Sequence, residues 1–200
     1  TSGIEMIQGR TGLPVLGIVP MLDLQLPEED SVALGRKSGG PKEGLQVGVI
    51  RLPRISNYTD FDPLEREPDV ALRYIERPEQ IDGLDLLILP GTKSTLADLD
   101  FLSQAGLYPA IRAYHTAGGR VIGICGGFQM LGTQISDPDG VESGRGHGEG
   151  LGLLDVETVL KSGKQTHQVE AEFQQAAAVA GFGGFDRVNG YEIHAGESIC

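Results

Sequence analysis

Residues 120–132 read RVIGICGGFQMLG, and this stretch decides the fold. RVIGIC is an apolar run of strand length, and GFQMLGT (127–133) has the spacing of the helix that follows it. Such a strand–turn–helix predicts an α/β chain whose parallel sheet is covered on both faces, with RVIGIC buried inside it. Gly123 and Gly127 stand two residues before and two after Cys125. A sharp strand-to-helix turn crowds its own backbone, so those two places admit only the smallest residue. The turn lifts the Cys125 side chain clear of the sheet and turns the next N–H, that of Gly126, toward the place where an oxyanion would form. The helix N-terminus adds a partial positive charge that favours a thiolate. Cys125 is therefore the candidate nucleophile. The competing reading is a tight turn holding an inert, buried thiol.

Working outward, DLLILPG (85–91) is a second apolar strand stopped by Pro90–Gly91. Glycine at a strand end lets a backbone N–H approach a ligand closely, so Gly91 is a candidate second oxyanion donor. Ser94 or Thr95 can cap a helix carrying the stripe Leu96, Leu99 and Leu102, and another helix spans about 108–117 up to Gly118–Gly119. LQVGVIRL (45–52) is a strand, PRISNYTDFDP (53–63) has turn chemistry, and DVALRYI (69–75) fits a strand or a short helix. LPVLGIV (13–19) reads as a short buried strand, and GRKSGGPKEG (35–44) as a linker. Residues 136–150 are Gly- and Asp-rich and read as a loop. Strands are expected over 151–160, over 167–173 and within 187–196. Reactive groups on such sheets gather at the carboxyl ends of the strands.

The 200 residues carry 16 Lys and Arg against 28 Asp and Glu, a formal net charge of −12. That balance argues against a nucleic-acid surface, which needs clustered cations. No apolar run is long enough to cross a membrane and the first residues lack a secretory pattern, so the reading is cytoplasmic with no membrane partner. Two cysteines, Cys125 and Cys200, make no disulfide framework, and no Cys/His group has zinc spacing. No G-x-x-x-x-G-K-[ST] occurs, so no ATP site of that kind is expected here. A thiolate nucleophile calls for a histidine base. His115 reads as a helix-end residue, His147 as a solvated loop residue and His167 as a strand opener. His194, in YEIHAG (191–196), is the best base candidate by position.

VIRLPRISNYTDFDPL (49–64), LILPGTKST (87–95), GICGGFQMLG (123–132) and GYEIHAG (190–196) together resemble the C-terminal amidotransferase part of the cobyric acid synthase family. LPVLGIVPMLDLQLPEEDS (13–31) is similar to the end of that family's ATP-dependent synthetase domain. The resemblance implies a tail of that domain and linker over 1–40 and a flavodoxin-like class I glutamine amidotransferase domain over 45–200, truncated at its C-terminus. It implies that Cys125 attacks the carboxamide of glutamine, that Gly91 and Gly126 supply oxyanion amides, and that Gln129, in the C-x-G-x-Q pattern, holds glutamine. Ammonia would pass to the synthetase domain, where ATP and Mg, bound outside this chain, activate carboxylates of a corrinoid, adenosylcobyrinic acid a,c-diamide. The family's base lies in a later G-T-Y-x-H-G pattern absent before Cys200. The resemblance thus assigns the base to a downstream His rather than His194, and implies little glutaminase activity for the isolated chain. Two other readings are another cysteine hydrolase on the same fold, and a docking domain without turnover.

Overall fold

The computed structural model describes residues 2–18, 20, 43–142, 146–163, 165–172, 187–194 and 196–199, the side chains of Ser2, Gln165 and His194 apart. Its centre is a wholly parallel sheet of β1 (Leu45–Ile50), β2 (Val70–Ile75), β3 (Leu86–Leu89) and β4 (Arg120–Gly123), in the order β2-β1-β3-β4. Val49 of β1 lies in register with Tyr74 on one side and Ile88 on the other. This is the flavodoxin-like winding, and it puts a topological switch point between β1 and β3. β1 and β3 are short runs of branched aliphatic residues because both of their faces are covered. Val47, Val49, Ile50, Leu87 and Leu89 are all at most 1% exposed. DVALRYI (69–75) resolves as strand β2.

Helix α2 (Asp62–Arg66) follows a 3-10 turn at Tyr58–Phe61. The chain then adds α3 (Thr95–Gln104), α4 (Leu107–Thr116) and α5 (Gly126–Leu131). The stripe Leu96, Leu99 and Leu102 on α3 is buried, as its spacing requires, and Ile111 of α4 and Met130 of α5 join the same core. A second sheet, β10-β7-β5-β6, is built from β5 (Gln134–Ser136), β6 (His147–Glu149), β7 (Glu157–Val159) and β10 (Glu197–Ile199). β8 (Gln165–Glu172) and β9 (Arg187–His194) form an antiparallel hairpin. No helix among the described residues is long and apolar enough to cross a membrane.

Four expectations are corrected. LPVLGIV (13–19) is no buried strand. Residues 12–18 follow helix α1 (Ser2–Thr11) without regular structure, and Leu16 is 95% exposed. A strand needs a ladder partner, and none lies beside it among the described residues. RVIGIC is only half-buried: β4 is the last strand of its sheet among the described residues, with Arg120 and Ile122 exposed in alternation with Val121 and Gly123. Residues 136–150 are not all loop, since His147 lies in β6, paired with Ser136. In 151–160 only Glu157–Val159 forms a strand. The linker reading at 35–44 falls mostly, and Cys200 wholly, outside the described residues.

Candidate active site

The elbow is visible in the backbone. Cys125 has φ 51 and ψ −114, a region that costs a non-glycine residue about 1–3 kcal/mol and that the surrounding packing must enforce. The enforcement comes from its two flanking glycines. A methyl on Gly123 would stand 2.6 Å from the Phe128 Cα and 2.7 Å from the Gly127 carbonyl oxygen. A methyl on Gly127 would stand 2.1 Å from the Leu89 carbonyl oxygen. The close approach of β4, α5 and the end of β3 therefore requires glycine at both places, as the sequence pattern anticipates. The Cys125 thiol is exposed and outside any disulfide.

The second strand end meets it. Gly91 is buried, and a methyl there would lie 3.7 Å from the Cys125 Cβ. Gly126 packs against the same turn, where an added methyl would meet Thr92 Cγ2 at 2.7 Å. Gln129, 7% exposed on α5, accepts a hydrogen bond at Oε1 from the Thr95 hydroxyl (3.2 Å). The structure thus brings together Cys125, Gly91, Gly126 and Gln129 at the carboxyl ends of β3 and β4. The turn after β3 is also stitched to the loop after β1. The Ser56 N–H donates to the Gly91 carbonyl and the Lys93 N–H to the Arg54 carbonyl, both at 2.9 Å.

Several contributors escaped the sequence reading. Ser94 is the N-cap of α3 but makes no side-chain cap; the Glu142 carboxylate does so instead, accepting from the Thr95 N–H (2.5 Å) and the Leu96 N–H (3.3 Å) and sharing with Gln129 the single proton of the Thr95 hydroxyl, 3.1 Å away. Glu142 is itself held by its N–H, which donates to Asp137 Oδ2 (3.0 Å). A carboxylate at a helix N-terminus satisfies free N–H groups and meets the positive end of the dipole. Forty-seven residues separate Glu142 from Thr95, so no local cue announces it.

A cavity of about 800 Å³ opens over Cys125. Phe128 and Gln129 line it together with His167, Glu192, Lys161 and Glu197. His167 and Glu192 are register partners across the β8–β9 hairpin. Lys161 is hydrogen-bonded to Glu197, and that bond holds the Glu197 carboxyl below its ordinary value. His194 ends β9 opposite Gln165, and its side chain lies outside the described residues. His115 is exposed in the last turn of α4.

Residues 46–200 match the family described as "CobB/CobQ-like glutamine amidotransferase domain". The chain belongs to this family. Curated relatives of the CobB/CobQ-like chain include cobyric acid synthases of Syntrophobacter fumaroxidans (50% identical, over 98% of this chain and 39% of the relative) and Sorangium cellulosum (48%, over 97% and 40%). The chain therefore spans about two fifths of the length of these relatives. Among solved structures, one described as a glutamine amidotransferase shares the fold, with a TM-score of 0.54 at 22% identity, over 75% of this chain and 71% of that one. The α/β amidotransferase fold expected from the sequence is the one observed.

Proposed function

We propose that Cys125 of this chain is the nucleophile of a glutamine amidotransferase, forming a thioester with glutamine whose ammonia goes to an ATP-dependent amidation of the cobyric acid synthase kind. The observation that carries the reading is the forced backbone at Cys125, φ 51 between two obligatory glycines, with Gly91 against it. A protein accepts such strain where an exposed, fixed nucleophile is the return.

In this reading the Cys125 sulfur attacks the glutamine carboxamide carbon and a C–S bond forms. The carbonyl oxygen takes the negative charge and is met by the N–H groups of Gly91 and Gly126. The C–N bond then breaks, and ammonia leaves carrying the thiol's proton. Water attacks the thioester, releasing glutamate and restoring the thiol. Gln129, fixed through Thr95, orients the substrate beside the thiol. The ammonia acceptors are peripheral carboxylates of a corrinoid, adenosylcobyrinic acid a,c-diamide, activated by ATP outside this chain. The cobyric acid synthase relatives support that acceptor, and the same resemblance supports an ATP-dependent synthetase tail over 1–40, ahead of the amidotransferase domain from 45.

Substrate protection tests the glutamine site without requiring turnover. L-Glutamine is expected to slow alkylation of Cys125 by iodoacetamide, while D-glutamine leaves it unchanged. Equal protection by both enantiomers, or by neither, overturns the reading.

A further inference from the structure

Asp98 is a buried charged group that the steps above leave unused. It lies in the first turn of α3 with 0% of its surface exposed. Its carboxylate turns back onto the loop after β3. Oδ1 accepts from Arg54 Nη1 (3.1 Å) and Oδ2 from the Thr92 hydroxyl (2.5 Å). The same Thr92 oxygen accepts the Ser94 N–H at 3.1 Å. Arg54 also holds the loop by its backbone, as its carbonyl receives the Lys93 N–H and Ile55 pairs with Thr92 as an isolated bridge. A buried carboxylate has no water to fall back on, so both donors are obligatory partners. The Thr92 hydroxyl is thereby locked, and its methyl faces the elbow at Gly126.

We propose that Asp98 is a positioning residue which, through Thr92 and Arg54, fixes the Pro90–Ser94 turn so that the Gly91 N–H is pre-aligned on the carbonyl attacked by Cys125. The inference rests on the reading of Cys125 as the nucleophile of a glutamine amidotransferase. Oxyanion donors work because they need not reorganise during reaction, and a turn stitched on both sides to one buried charge meets that condition. Arg54 is half-exposed while Asp98 is fully buried, so solvent cannot replace the carboxylate in the clamp even where it can reach the guanidinium.

The test uses two reagents on the 200-residue chain. The γ-(4-nitrophenyl) ester of L-glutamate acylates Cys125: a C–S bond forms at the γ-carbonyl, an oxyanion develops, the C–O bond breaks and nitrophenolate leaves with the electron pair. Iodoacetamide alkylates the same sulfur by displacing iodide, with no oxyanion. Asp98→Asn and Thr92→Val are expected to slow the nitrophenolate burst on the order of 10- to 100-fold. Alkylation should stay within about threefold of the parent chain, and Thr92→Ser, which keeps the hydroxyl, should hold the burst within about threefold too. Thr92→Val carries the test if Asp98→Asn does not fold. An unchanged burst in Thr92→Val, or parallel losses with both reagents, overturns the positioning role. A parent chain with no Cys125-dependent burst overturns the amidotransferase reading itself, and the proposal with it.

Discussion

Alanine at Gly127 would place its methyl carbon 2.1 Å from the Leu89 carbonyl oxygen, 2.6 Å from the Leu89 carbonyl carbon and 2.7 Å from the Pro90 oxygen. All three atoms are backbone at the end of a central strand, so no side chain can swing aside. The closest contact must open to at least 3.0 Å, the shortest approach real Cβ atoms show, which moves α5 off β3 by most of an ångström. Overpacking of this kind costs about 3 kcal/mol, at the upper end of its usual range. A displacement of that size at a nucleophile costs roughly 100-fold in rate. Gly91→Ala is the matched contrast. Its closest contact is the Ser56 hydroxyl at 2.8 Å, which can rotate, and its next contacts, Cys125 Cβ and the Ile124 oxygen, lie at 3.7 and 3.8 Å. Gly91 has no left-handed φ, so the entropy that alanine removes from the unfolded chain, about 0.4–1 kcal/mol, offsets the crowding. Its stability should stay within about 1 kcal/mol of the parent. Its methyl nevertheless stands where a carbonyl must approach Cys125, and acylation should fall at least about tenfold. Urea unfolding and the nitrophenolate burst, measured on both variants, separate the two effects. If Gly127→Ala unfolds within about 1 kcal/mol of the parent, or Gly91→Ala acylates at the parent rate, the elbow geometry argued here is wrong.

Glu142→Ala uncaps α3 and should lower stability by about 1 kcal/mol in urea unfolding, with Glu142→Asp recovering part of it only if the shorter side chain still reaches the Thr95 N–H. Gln129→Leu should abolish protection of Cys125 by L-glutamine while leaving iodoacetamide alkylation unchanged, because the substitution removes the polar contact and keeps the volume; retained protection would remove Gln129 from the substrate site. The folded-state value of Glu197 is depressed by Lys161, so its stabilisation is present above the ordinary carboxylate value of 4.5 and is lost as pH falls through the lower folded one. Melting curves of parent and Glu197→Gln should accordingly differ at neutral pH and converge in acid, and a difference that grows on acidification would contradict the Lys161 pairing.

The legible parts of this molecule were those encoded locally. β1 and β3 announce themselves as apolar runs, the α3 stripe by its spacing, and the elbow by two glycines around one cysteine. The RVIGIC run was legible as a strand but not as the last strand of its sheet among the described residues, because an apolar run looks the same whether or not a neighbour covers it. LPVLGIV failed for the same reason, since burial belongs to the partner and not to the run. Asp98 reads as an ordinary polar place on an amphipathic helix, and only the fold turns it inward onto Arg54, 44 residues away. Glu142, 47 residues from the Thr95 N–H it caps, and the cavity wall from the β8–β9 hairpin are likewise long-range, whereas the capture of Glu142 by Asp137, five residues away, is local but lies in a stretch that reads as plain loop.

The most direct test of the central claim, that Cys125 is a nucleophile shaped for glutamine, is covalent capture read by peptide mass spectrometry. The chain is treated with a chloroketone analogue of L-glutamine at limiting concentration. The adduct is expected on Cys125, with Cys200 unlabelled, and its formation is slowed by L-glutamine and absent in Cys125→Ser. Labelling of Cys200 at the same rate as Cys125, or equal reaction with the D-analogue, would contradict it.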